Sequence, residues 1–97
     1  MIENPNGCDM SKLRHKARLG LWYLEALFLS EGRSLVVTHT FDGQHKEGSL
    51  HFKNRAVDTL PPGKENALLL KQAKQNMGKD YDVIDEGDHW HLEYDPK

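Results

Sequence analysis

Apolar residues fall at Leu13, Ala17, Leu21, Leu24 and Phe28, at steps of four, four, three and four, which puts them on one face of an α-helix. Asp9 or Ser11 can cap the start of that helix and Gly32 its end. Trp22, Leu27 and Leu29 extend the apolar surface beyond the stripe, so the helix is expected to be sandwiched. The β-branched run "SLVVTHT", residues 34–40, predicts a strand, and "FDGQHKEG", with two glycines and no apolar period, a surface loop. "RAVDT" predicts a second short strand that ends at Pro61 and Pro62. A second helix is predicted over "KENALLLKQAKQNMG", with Leu69, Ala73 and Met77 on one face and Gly78 at its end. "YDVI" and "HWHLEY" then predict a hairpin, with Gly87 in the turn "DEGD" between them.

Together these elements predict an α+β fold, a small antiparallel sheet covered by two helices. No repeat and no long linker divides the chain. A single domain is expected over residues 11–97, preceded by a flexible N-terminal arm at 1–10 whose Cys8 reads as an incidental thiol. The 97 residues, 37% of them hydrophobic, suffice for one core and not two.

Charge narrows the partners. Thirteen basic and fifteen acidic residues leave a formal net charge of −2, which gives no electrostatic pull toward nucleic acid or an anionic membrane. The single cysteine excludes an internal disulfide and a cysteine-based zinc site. The most apolar stretch, "LGLWYLEALFLS", falls short of the roughly 20 residues needed to cross a bilayer and holds Glu25 at its centre. No signal-peptide cleavage site follows it, so the protein is expected to be cytoplasmic when made.

Alternation along the last predicted strand sends Trp90, Leu92 and Tyr94 to one face and His89, His91 and Glu93 to the other. The aromatic and aliphatic face belongs to the core. The opposite face keeps two imidazoles and a carboxylate, and upstream His51 precedes Asp58 by seven positions. His51, Asp58 and one histidine of the later pair would form a two-histidine, one-carboxylate set, a zinc arrangement that leaves a coordination position for water. The competing reading makes Asp58 a loop carboxylate bonded to a nearby amide, and His89 and His91 the wet face of an edge strand. His39 is expected to face across its strand, and His15 to lie at a solvated helix start.

"SLHFKNRAVD" resembles the signature of the zinc D-Ala-D-Ala carboxypeptidases and their relatives, in which Ser, His, Ala and Asp stand where Ser49, His51, Ala56 and Asp58 stand here. "DHWH", residues 88–91, resembles the second motif of that superfamily, which also includes phage endolysins and the Hedgehog signalling domain. The resemblance extends over residues 34–96 to small phage-type members. It implies a zinc site formed by His51, Asp58 and His91, with Asp88 as general base and His89 steadying the oxyanion. Glu86, three positions before His89, is the alternative base should His89 be the ligand. Two departures stand out. Asn54 replaces the usual glycine, and "THTFDGQHK" lacks the arginine that larger members use to hold substrate, leaving Lys46, Gln44 or His45, beside Ser49, for that task. The implied function is a zinc-dependent peptidase cutting peptidoglycan stem peptides, phage or prophage encoded and reaching the wall on lysis or in a virion. The alternative is a zinc-bearing interaction or virion structural module without turnover.

Overall fold

A computed structural model of the chain describes residues 2–11, 13–40 and 55–96. Its elements are β1 (Ile2–Glu3), α1 (His15–Ser30), β2 (Leu35–His39), β3 (Ala56–Thr59), α2 (Asn66–Met77), β4 (Tyr81–Asp85) and β5 (Trp90–Tyr94). The five strands form one sheet in the order β1-β2-β3-β5-β4. β1 runs parallel to β2, and every other neighbouring pair is antiparallel. The architecture is thus the α+β fold expected, with β3 and β5 at the centre of the sheet.

Both helices lie on one face. Leu21, Leu24 and Phe28 of α1 and Leu69 and Ala73 of α2 meet Leu35, Val37, Val57, Val83, Trp90 and Leu92 of the sheet in one buried cluster. Phe28 meets Trp90 edge to face, with ring centroids 5.3 Å apart and an interplanar angle of 84°, the geometry that aromatic quadrupoles favour. Every residue of the predicted α1 stripe that lies within the helix is buried, and so is Leu13 just ahead of it. The C-terminus of α1 is closed as expected at Gly32: at φ +70° its N–H donates to Leu29 O, while the Arg33 N–H donates to Phe28 O. Those two bonds satisfy carbonyls that a helix end otherwise leaves orphaned.

Three expectations about α1 and its approach are corrected. The helix begins at His15 after Arg14, with no side-chain cap. Asp9 is occupied elsewhere, its Oδ1 accepting from both the N–H and the hydroxyl of Ser11. The Arg18 guanidinium reaches back instead, donating to the carbonyls of Met10, Ser11 and Leu13. Nor is α1 sandwiched: Trp22 is 54% and Leu29 48% exposed, because the described elements offer the helix a packing layer on one side only. The N-terminal residues expected as a flexible arm extend the sheet through β1, and Cys8 joins the buried cluster with its thiol bonded to Thr38 O at 3.1 Å.

Candidate metal centre

Register decides which side chains meet. β3 and β5 pair Val57 with Leu92 and Thr59 with Trp90 on the helix side, which leaves Ala56 opposite Glu93 and Asp58 opposite His91 on the other face. That face is closed at its centre: Ala56 is 0% and Asp58 5% exposed. Asp58 thus becomes a buried carboxylate, and a buried charge is stable only with partners.

Among the described residues, His91 is one of those partners. Its Nδ1 lies 2.9 Å from Asp58 Oδ1 and its Nε2 3.1 Å from Glu93 Oε1, so one imidazole bridges two carboxylates. Burial works against the charged ring, but the hydrogen bond it donates to Asp58 and the neighbouring charges of Asp58 and Glu93 outweigh it and hold the His91 pKa above its ordinary value. Without a metal, the ring is clasped between two carboxylates. With a metal, the same Glu93 contact is what fixes a ligand histidine: a carboxylate on one ring nitrogen sets the tautomer and turns the other nitrogen to the ion.

Among the described residues, two more imidazoles approach from either side. His39 Nδ1 and His89 Nε2 each lie 3.9 Å from Asp58 Oδ2. His89 sits at the end of the β4–β5 turn, where the Glu86 N–H donates to the His89 carbonyl. Its Nδ1 is 2.6 Å from Asp88 Oδ1, and the Asp88 side chain is 90% exposed. Glu86, the alternative base, is exposed in the same turn.

His39 is on this face because β2 is irregular. Val37 pairs with Thr59 but His39 pairs with Asp58, so Thr38 is an extra residue in the strand, a β-bulge. The expectation that His39 faces across its strand missed this, since a bulge follows from pairing rather than from the residues of one strand. Glu93 could have been found from sequence, because alternation already placed it beside His89 and His91.

The residues suit zinc as far as they are described. Asp58 and His91 supply one oxygen and one nitrogen, the donors zinc takes at about 2.0–2.2 Å. Donors on one tetrahedral ion stand roughly 3.3–3.6 Å apart by that geometry, so the Asp58–His91 contact has to open by only a fraction of an ångström. The third expected ligand, His51, lies outside the described residues, as do Ser49, Lys46 and Gln44 of the expected substrate site. Among the described residues, the metal-type donors that all fall within 4.8 Å of one another belong to Asp82, Glu93 and Asp95, an acidic trio without a nitrogen donor.

Asp58, His39, His89 and Asp88 line one cleft of about 500 Å³, together with Asn6, Thr38 and Leu60. Among the described residues no helix is long and apolar enough to cross a membrane. No family model matches the chain, and no curated protein matches it.

Proposed function

We propose that this protein is a zinc-dependent peptidase that hydrolyses peptidoglycan stem peptides, with Asp58 and His91, joined by His51, as the metal ligands. The observation that supports the reading best is the pairing of Asp58 with His91 across β3 and β5, a buried carboxylate 2.9 Å from an imidazole whose far nitrogen is held by Glu93. When bound, the zinc ion supplies Lewis-acid polarisation of the scissile carbonyl and activation of the attacking water. The protein's own part is proton handling and orientation. Asp88 takes the proton as the water oxygen bonds to the carbonyl carbon, and delivers it to the amine as the C–N bond breaks. His89, 2.6 Å from Asp88 and on the rim of the same cleft, donates a hydrogen bond to the developing oxyanion. The absence of a strong net positive charge fits a peptide substrate rather than nucleic acid.

One observation favours a second reading, a zinc-bearing interaction or virion module without turnover. The Asp88 side chain is 90% exposed, whereas a general base is usually held by its surroundings. One experiment separates the two. Zinc per chain and release of amines from purified peptidoglycan are measured for wild type, His91→Ala and Asp88→Ala. The peptidase reading expects about one zinc in wild type and Asp88→Ala, a loss in His91→Ala, and hydrolysis by wild type alone. Zinc without hydrolysis in wild type supports the module, and a wild type that binds no zinc after soaking overturns both.

A further inference from the structure

We infer that His39 is a further substrate-contact residue, whose imidazole hydrogen-bonds an acceptor oxygen of the peptide in the cleft, and that residues Asn6–Asp9 hold it in position. The inference rests on the peptidase reading above.

Strict alternation along β2 would send His39 to the side of Leu35 and Val37, into the apolar core. The bulge at Thr38 reverses that direction and brings the ring to the Asp58 side. A bulge disrupts the ladder, and the extra residue's backbone groups need partners. Here the N-terminal segment supplies them. Thr38 O accepts from the Cys8 thiol at 3.1 Å and from Asn6 Nδ2 at 3.4 Å, while Thr40 Oγ1 donates to Asp9 O at 2.9 Å. Cys8 is itself fixed by Asn4, which accepts from the Cys8 N–H at 2.9 Å and donates to its carbonyl at 2.8 Å. The buried cysteine and the short β1 strand thereby acquire a role: they anchor the segment that pins the bulge.

The pinned ring stands where a substrate passes. His39 is 53% exposed, lines the cleft, and lies as far from Asp58 Oδ2 as His89 does, 3.9 Å. Because β3 separates β2 from β5 in the sheet, the two imidazoles approach Asp58 from opposite sides. Asp58 and Asp88, when ionised, can only accept hydrogen bonds. A peptide bound between them offers carbonyl or carboxylate oxygens that need a donor, and among the described residues lining the β2 side of the cleft His39 brings an imidazole, its Nδ1 3.2 Å from Thr38 Oγ1 and its other ring nitrogen able to serve the peptide. His89 serves the reacting carbonyl, and His39 serves an oxygen further along the chain.

The test measures binding apart from turnover. Full-length Asp88→Ala protein is loaded with zinc, alone and combined with His39→Ala or His39→Gln. Zinc per chain is determined, and an acylated D-Ala-D-Ala peptide and its C-terminal amide are titrated by calorimetry. The expected result is equal zinc in all three proteins, a Kd about tenfold weaker with His39→Ala, the scale of one lost hydrogen bond, and partial recovery with His39→Gln. If the acceptor is the terminal carboxylate, the amide binds weakly to the parent and is indifferent to His39; if it is an internal carbonyl, both peptides lose affinity alike. The same Kd in all three proteins overturns the inference. Zinc lost from His39→Ala overturns it too, by making His39 a ligand. A zinc-loaded parent that binds neither peptide also overturns it. A parent that takes up no zinc refutes instead the peptidase reading on which the inference stands.

Discussion

Trp90 lies on β5 between His89 and His91 and is 0% exposed, so whatever holds its indole holds the strand that carries the candidate site. Its Nε1 donates to Asn66 Oδ1 at 2.9 Å, and Asn66 Nδ2 donates in turn to Asp85 Oδ2 at 3.0 Å. One side chain at the start of α2 therefore joins the core to the β4–β5 hairpin. Asn66→Ala strands a buried N–H, a loss of about 1–3 kcal/mol, whereas the exposed bond to Asp85 adds little. For a domain of this size each kcal/mol corresponds to roughly 4–8 °C in Tm, so a drop of about 10 °C is expected. Urea unfolding followed by far-ultraviolet circular dichroism gives the free energy in every variant, including those that lack Trp90. Trp90→Phe completes a double-mutant cycle: in its presence Asn66→Ala should cost at least 1 kcal/mol less, by the same lost-donor estimate. An equal cost in both backgrounds would refute the reasoning.

Other consequences follow from single contacts. Gly→Ala in a helix ordinarily stabilises by about 1 kcal/mol, yet a Cβ at Gly20 would lie 2.6 Å from Tyr81 Cε1 and 3.2 Å from Met77 Cε. Because the Tyr81 hydroxyl is tied to Lys16 O, Gly20→Ala is expected to destabilise by about 1–2 kcal/mol net, and a calorimetric Tm at or above wild type would show that the ring yields. Thr59 is fully buried, and its hydroxyl has no hydrogen-bond partner among the described residues. Thr59→Val should therefore raise stability by about 1 kcal/mol in urea unfolding, and a loss would reveal a partner. The Gly87 N–H, then Asn66, hold the Asp85 carboxyl below its ordinary value of 3.8. Its stabilising contribution is present above that value and fades as pH falls through the depressed one; carboxyl NMR should find the pKa low in wild type and closer to ordinary in Asn66→Ala. For the proposed zinc site, Glu93→Gln should weaken zinc binding about 10–100-fold while keeping the fold, as loss of a carboxylate behind a ligand histidine does elsewhere. Unchanged affinity would remove Glu93 from the site.

Local order of the chain determined a great deal here. The spacing of Leu21, Leu24 and Phe28, the glycine at position 32 and the alternation Trp90-His91-Leu92-Glu93 each encode their element within a few residues, so the helices, the hairpin and the split of β5 into core and polar faces were legible without a structure. Asp58 and His91 were legible too, because a carboxylate and a histidine among apolar neighbours stand out by type. What tertiary structure alone decided is where separate segments come into register. The pairing of Asp58 with His91, the bulge that turns His39 to the same face, and the clamp that Asn6 and Cys8 place on Thr38 all join residues 19 to 33 positions apart. The exposure of Trp22 is of the same kind, since an apolar side chain shows what could be buried, and only the arrangement of the other layers shows what is.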